Sequence, residues 1–318
     1  MKHSLYALII ICVCLVNTAC TRISQAPAEP IVNLADVAYN FSKRSVAWQD
    51  SVLNADSIPI SAFLKVVADS SMEQWSHSRA VVIFTPDVEK VYPSLTQVEN
   101  SLGYTLKRAH ELALDFPKRK YAAVVYGRPE AILFVDSVML IALNHFLGSD
   151  YPGYAAMPEY LRATKVPAQL PYAMAEALCG TQYPLAHTEN ATLLSRMLYE
   201  GVLIHAKMEL VCDANPALAL GYTEEEYRQL MADETTIWNL IVKGNLLYDT
   251  SETTIDRICA PAPFTSIGDT RWPGRVGRFI GWRIVDSYIR HNSAEATLPI
   301  LLTPAFYNSP DVLLKSGY

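Results

Sequence analysis

The pattern of apolar and polar positions predicts a mainly helical chain with one small sheet. Residues 121–126 read Tyr-Ala-Ala-Val-Val-Tyr, a short β-branched and aromatic run typical of a buried strand. Turn residues follow at 127–130, and residues 131–143 are then almost wholly apolar, which predicts one long strand or a pair of strands. We therefore expect an α+β fold whose sheet precedes its central helices.

Four segments after the sheet have helical signals. Proline is tolerated at the first helical position, and serine, threonine and asparagine favour the position just before a helix. Early acidic residues also stabilise a helix start. The predicted helices begin at Pro171, at Asn190 or Thr192 (reaching about Met208), at Thr223 (running towards Tyr248) and at Val276 (reaching Arg290).

The second of these helices places a carboxylate among apolar side chains. At 100° per residue, Leu193, Met197, Glu200 and Ile204 fall on one narrow stripe. Burying an unpaired carboxylate there would cost several kcal/mol. The alternative is that Glu200 lies at the edge of the stripe and pairs with Arg196, one turn earlier.

The helix over residues 276–290 allows two interpretations. Gly277 and Gly281 are one turn apart, which permits another backbone to approach closely, and arginines surround them. The pattern could provide a basic face for lipid headgroups or an acidic partner, but it favours a tightly packed core helix with solvated arginines. The arginines are Arg271, Arg275, Arg278, Arg283 and Arg290.

The N-terminus has the parts of a bacterial lipoprotein signal. A cationic start is followed by an apolar run over residues 5–16, too short to span a bilayer, and by Ala19 before Cys20. We expect residues 1–19 to be a signal peptide, residues 20–33 to be a lipidated cysteine and flexible tether, and residues 34–318 to be a single globular domain. The alternative is an ordinary cleaved signal in which Cys20 has no role. Thr21 is not the aspartate that retains some lipoproteins in the inner membrane, so we expect an outer-membrane anchor facing the periplasm.

Composition narrows the function classes. The net charge of −6 without any basic tract gives no support to nucleic-acid binding. With 51% hydrophobic and 18% charged residues, the chain can form one large core or two smaller ones. Once the signal is removed and Cys20 is acylated, Cys179, Cys212 and Cys259 remain, so at most one disulfide can form.

Several short motifs follow one another along the chain: Ile141–Gly148, Tyr151–Tyr154, Leu193–Gly201, Ile237–Trp238, Leu246–Tyr248, Trp272–Arg275, Phe279–Trp282 and Ile284–Tyr288. Together they resemble the GldB family, lipoproteins associated with gliding motility in Bacteroidota. The resemblance extends from about residue 40 to residue 318, with one departure at Val202, where the family tends to have lysine. It implies an accessory component of gliding or of the related type IX secretion machinery, with protein partners in the cell envelope.

GldB proteins are in turn distantly similar to predicted zinc-dependent proteases with an HExxH helix, in which two histidines bind zinc and the glutamate acts as general base. That similarity implies a zincin-like degenerate metallopeptidase fold. It places Glu176 at the general base and Glu200 at the third zinc ligand, both vestigial, while Ala175 and Cys179 occupy the histidine positions.

Catalytic zinc needs three protein ligands and an open position for water, and none of the seven histidines has the spacing to replace the lost pair. We therefore expect no catalytic residues, no metal and no cofactor, and a hydrogen bond to Glu200 from a neutral donor such as the hydroxyl of Tyr172. Two alternatives stay open: an active metallohydrolase using Glu176, Cys179 and Glu200, and a periplasmic binding lipoprotein unrelated to motility.

Overall fold

The computed structural model describes residues 28–67, 69–186 and 191–318. The signal peptide, Cys20, most of the predicted tether and Asn190 lie outside these residues. The chain divides into two compact units: the first comprises residues up to 108 with 117–147 and 211–213, and the second comprises 109–116, 148–210 and 214–318. That the two fold as a single domain stays a prediction.

The first unit contains a mixed four-stranded sheet with the order β1-β2-β4-β3. β1 pairs with β2 in parallel, β2 with β4 in parallel, and β3 with β4 antiparallel. The apolar run over residues 131–143 is thus a pair of strands, because Asp136 adopts a positive φ of 52° and reverses the chain between them. The strands are β1 (Ile31–Asn33), β2 (Lys120–Val124), β3 (Ile132–Val135) and β4 (Val138–Ala142).

Strand β1 corrects the predicted extent of the tether. The tether was expected to run to residue 33, but residues 31–33 pair in register with Tyr121, Ala122 and Ala123. Two tertiary contacts hold this strand in place. Ile31 is buried at 7% exposure, and its backbone N–H also donates to the Glu99 side chain at 3.1 Å.

Helices cover the sheet of the first unit. Several begin behind serine caps, as at Ser45, Ser71 and Ser78, whose hydroxyls accept backbone N–H groups of the first turn. The helices are α1 (Leu34–Phe41), α2 (Val46–Ala55), α3 (Ser57–Val67), α4 (Met72–Ser76), α5 (Arg79–Val91) and α6 (Thr96–Glu111), the last of which continues into the second unit.

In the described part of the second unit the strands form one hairpin, β5 (Phe264–Ile267) with β6 (Thr270–Pro273), and the other regular elements are helices. Across the described residues the fold is mainly helical α+β, as predicted. Its helices are α7 (Glu159–Arg162), α8 (Leu170–Gln182), α9 (Leu193–Leu210), α10 (Pro216–Leu220), α11 (Glu224–Lys243), α12 (Glu252–Cys259), α13 (Val276–His291), α14 (Leu298–Leu301), α15 (Pro304–Tyr307) and α16 (Asp311–Ser316).

The helix starts follow the sequence signals closely. Thr223 caps α11 in a reciprocal capping box with Glu226, and the Thr192 hydroxyl accepts the Ser195 N–H at 3.2 Å at the start of α9. The end of α11 differs from the expectation near Tyr248. The helix ends at Lys243 because Gly244 follows and Asn245 adopts a positive φ of 54°.

Helices α9 and α13 pack directly on each other through glycine. A Cβ atom added at Gly281 would overlap the Met197 carbonyl oxygen, and one added at Gly201 would overlap the Gly281 backbone. Gly277 lies equally close to the side chains of Cys259 and Ile258. The structure confirms the tight core helix predicted over residues 276–290, which ends at His291, and corrects the expectation that its arginines are solvated, because Arg278 is buried. None of the helices in the described part of the chain is both long and apolar enough to cross a membrane.

Candidate functional site

A group of charged side chains lies where α8, α9 and α13 meet. We call Glu176 of α8, Arg196, Glu200 and Lys207 of α9, and Arg278 of α13 the charge cluster. Helices α9 and α13 approach to backbone contact at Gly201 and Gly281, and next to this contact Arg278 of α13 lies within ion-pair distance of Glu200 of α9.

Two cations hold the Glu176 carboxylate. The Lys207 ammonium donates to Oε2 at 2.7 Å, and an Arg278 guanidinium nitrogen, Nη2, donates to Oε1. The burial of the three is unequal: 3% of the Lys207 side chain and 7% of the Arg278 side chain are exposed, against 36% for Glu176. Glu176 is therefore a shared counter-ion for two cations that have almost no access to water.

Glu200 is largely buried and is also paired. Its side chain is 14% exposed, and Leu193, Met197 and Ile204 on the same stripe are fully buried, as the stripe predicted. Arg196 Nε donates to Oε1 at 3.0 Å, so the pairing one turn earlier is present too. Arg278 Nε lies 3.6 Å from Oε2, an ion-pair contact beyond hydrogen-bond distance. Arg278 thus links the two carboxylates.

The electrostatics of the cluster favour its charged form. Burial by itself would raise the pKa of Glu176, but the adjacent Arg278 and Lys207 cations lower it well below the usual 4.5. Burial and the neighbouring Arg278 lower the pKa of Lys207 to about 8, partly opposed by Glu176. The pKa of Arg278 is raised, since the two carboxylates outweigh its burial. Burial disfavours the charged form most clearly at Lys207, which is the least exposed side chain of the charge cluster.

The structure corrects the expected partner of the buried carboxylates. The Tyr172 hydroxyl does not contact Glu200; it accepts the backbone N–H of Asn215 at 2.7 Å. Cations take the place of that neutral donor. For Glu200 one of them, Arg196, had a signal in the sequence, because it lies four positions earlier on the same helix. Arg278 had none, because it is 102 positions from Glu176.

The cysteines near the cluster are neutral thiols. Cys179 and Cys259 are buried and free, and burial, reinforced by the Glu176 and Glu200 carboxylates respectively, raises the pKa of each to about 12. Cysteine binds metals as the thiolate, which burial beside a carboxylate disfavours. Within residues 28–67, 69–186 and 191–318, no group of three or more His, Cys, Asp or Glu side chains could hold a metal ion.

Comparison with known proteins identifies one family. A family model described as "Gliding motility protein GldB" matches residues 53–318, which is most of the chain. No curated protein and no solved structure matches this chain. The zincin-like relationship therefore stays a prediction.

Proposed function

This chain belongs to the GldB family of gliding motility proteins, and on that premise we propose that it is a non-catalytic accessory component of the gliding machinery. In this proposal the lipid on Cys20 anchors the protein to the outer membrane, and the folded part faces the periplasm. In this role the protein acts through partners in the cell envelope, including those of the related secretion machinery. Its former peptidase site serves to hold three helices together.

Family membership carries the motility role, and the pairing of Glu176 with Lys207 and Arg278 carries the non-catalytic part of this proposal. A glutamate that acts as a general base beside zinc must have its carboxylate free to accept a proton from the metal-bound water. Here both oxygens of Glu176 accept hydrogen bonds from buried cations, which hold the carboxylate ionised and oriented towards the protein. Such a carboxylate is a poor base.

The same pairing disfavours a metal ion at Glu200. The cluster already contains three cations against two carboxylates, since Arg196 and Arg278 contact Glu200 while Arg278 and Lys207 contact Glu176. A divalent cation placed between them would add charge to a group that is positive in sum. A metallohydrolase using Glu176, Cys179 and Glu200 would also have to deprotonate a thiol whose pKa is raised to about 12.

Elemental analysis combined with motility tests this function. In the first experiment the lipidated protein is purified without chelators and its zinc content is measured. In the second experiment the gene is deleted in its host and restored with wild type, Glu200→Gln or the exposed control Glu89→Gln. We expect no stoichiometric zinc, loss of surface spreading in the deletion, and recovery with both variants. One equivalent of zinc that disappears in Glu200→Gln would overturn the non-catalytic role, and normal spreading of the deletion strain would overturn the motility role.

A further inference from the structure

Helix α2 has no buried residue along its ten positions. An isolated helix shorter than about 12–15 residues is marginally stable in water, so helices of this length normally depend on a buried face. The inner side of α2 is held only by half-exposed groups, such as Trp48, whose ring centroid lies 6.4 Å from that of Phe41. Among the residues that the structure describes, its outer side therefore has no packing partner.

Two apolar side chains are exposed on that outer side. Val46 is 69% exposed and Leu53 is 37% exposed, and their separation of seven positions places them within about 20° of each other, two turns apart. Ile58, in the first turn of α3, is 50% exposed. Exposed apolar side chains that cluster in this way indicate an interaction surface.

An open groove of about 620 Å³ continues this surface between α2 and α3. The apolar lining of the groove comes from Leu53, Ile60 and Leu64, and its polar lining consists of hydroxyl, ammonium and carboxylate groups. The Lys65 ammonium among them is exposed and pairs with Asp136 at 2.7 Å. The polar residues lining the groove are Ser57, Ser61, Lys65, Asp69 and Ser70.

We propose that the α2–α3 surface, defined by Val46, Leu53, Ile58 and Leu64, rests on the lipid bilayer to which the protein is anchored. The ligand is the boundary between phospholipid headgroups and acyl chains. This proposal rests on the anchor at Cys20, and it adds the face of the protein that is turned towards the membrane.

The length of chain between the anchor and the fold supports this occupant. Cys20 is eleven positions before Ile31, the first residue of β1, so the anchor lies within about 36–40 Å of it even if that chain were fully extended. From Ile31 the chain reaches Val46 through β1, α1 and four connecting residues, a path of at most about 36 Å. The surface is thus within reach of the membrane that holds the lipid.

The polar groups around the surface suit the headgroup level. Lys43 and Arg44 are exposed just before α2, with the Lys43 ammonium 3.3 Å from the centroid of the Tyr39 ring and the Arg44 guanidinium 5.8 Å from that of Trp48. Basic and aromatic side chains are typical of membrane interfaces. Asp50, which is exposed about 40° from Val46, limits the surface to shallow contact.

A few apolar side chains are sufficient because the anchor makes the contact intramolecular. Tethering two binding groups by a short chain gives an effective concentration in the millimolar range. A surface too weak to bind vesicles from solution can therefore stay on the bilayer once the lipid is inserted. The anchor supplies the affinity, and the α2–α3 surface supplies the orientation.

Fluorescence quenching from within the bilayer tests this orientation. In a Cys212→Ser background, Val46→Cys or Leu53→Cys is labelled with an environment-sensitive dye, and the lipidated protein is reconstituted into vesicles of phosphatidylethanolamine and phosphatidylglycerol that contain nitroxide lipids. We expect quenching and a blue shift at both positions. Val82→Cys on α5 is the matched control, because Val82 is 55% exposed and lies outside the surface, and its label should stay unquenched.

Further arms separate the possible results. Val46→Glu with Leu53→Glu should leave the protein anchored but abolish quenching of a label at Ile58→Cys. If the protein is acylated but labels at Val46 and Leu53 are not quenched, or a label at Val82 is quenched equally, the membrane contact of the α2–α3 surface is refuted and the anchor stands. If mass spectrometry finds no acyl chains on Cys20, the anchor and the membrane contact are refuted together. Sedimentation showing a dimer that Val46→Glu dissociates would assign the surface to a second copy of the chain and refute the membrane contact.

Discussion

The Lys207 ammonium lies 2.7 Å from the Glu176 carboxylate, and only 3% of the Lys207 side chain is exposed. A lysine so deeply buried depends on its counter-ion, because removing one partner of a buried pair leaves an uncompensated charge. Glu176 also holds Arg278, so a single carboxylate compensates two buried cations on two helices. This dependence makes Glu176 important for stability, although we assign it no catalytic role.

Glu176→Leu should destabilise the protein by about 2–3 kcal/mol. Breaking a fully buried pair costs about 3–5 kcal/mol, and the 36% exposure of the Glu176 side chain reduces this through solvent screening. Urea unfolding at pH 7 measures the change. Glu89→Gln, at an exposed position, should stay within about 0.5 kcal/mol of wild type. Equal stability of wild type and Glu176→Leu would show that Lys207 and Arg278 do not depend on this carboxylate.

The cluster should weaken in acid. A carboxyl whose pKa is lower in the folded state than in the unfolded chain contributes stability that is present above its unfolded pKa and lost as the pH falls through its folded pKa. For Glu176 the loss begins below about its usual value of 4.5. The difference in unfolding free energy between wild type and Glu176→Gln, followed by urea titration from pH 7 to pH 3, should therefore shrink as the pH falls. A difference that is constant or grows over this range contradicts the ion pairs.

Gly281→Ala should destabilise the second unit by about 3 kcal/mol or more. The added methyl group would overlap the Met197 carbonyl oxygen, and a backbone atom cannot move aside as a side chain does. Gly180→Ala in α8 is the matched control, since nothing lies within 4 Å of its added Cβ and alanine is the better helix former by about 0.5–1 kcal/mol. Thermal unfolding of both variants should show opposite shifts in Tm; a common direction would contradict the close approach of α9 and α13.

Tyr318→Phe should cost about 1.5–3 kcal/mol, the range for a hydrogen bond to a charged group. The Tyr318 hydroxyl donates to Glu234 at 2.7 Å, and Arg283 Nε donates to the same oxygen at 2.9 Å. The ring itself, which packs edge-on to Trp238 at 5.0 Å, is retained in phenylalanine. Tyr248→Phe, at a position 62% exposed, should have no effect on urea unfolding. Equal curves for all three proteins would mean that the hydroxyl contributes nothing.

Cys20→Ser should release the protein from the membrane or leave it uncleaved. Stable anchoring needs at least two lipid signals, and a lipoprotein cysteine supplies them covalently. Detergent partitioning and mass spectrometry of the N-terminal peptide measure the change. Wild type that carries no acyl chains and partitions like Cys20→Ser would contradict the lipoprotein anchor.

The sequence by itself determined the parts of this protein that depend on near neighbours in the chain. The capping box at Thr223, the Thr192 cap of α9 and the apolar stripe around Glu200 all arise from groups three to seven positions apart. The extended character of the apolar run after residue 131 and the close packing permitted by Gly281 are equally local signals, although the choice between one strand and two was left to the structure. Such patterns are set by backbone geometry and are visible without the tertiary fold.

The partners of the buried charges were decided only by the tertiary structure. Glu176 lies 31 positions from Lys207 and 102 positions from Arg278, and their pairing depends on how α8, α9 and α13 pack. The apolar stripe indicated that the charge of Glu200 required compensation, and the sequence offered Arg196, one turn earlier, or a neutral donor such as Tyr172. Arg196 does pair with Glu200, whereas Tyr172 bonds elsewhere. Arg278 became visible as a partner only when the contact between Gly201 and Gly281 fixed the distance between α9 and α13, because a side chain bonds to what the fold places within about 3 Å of it.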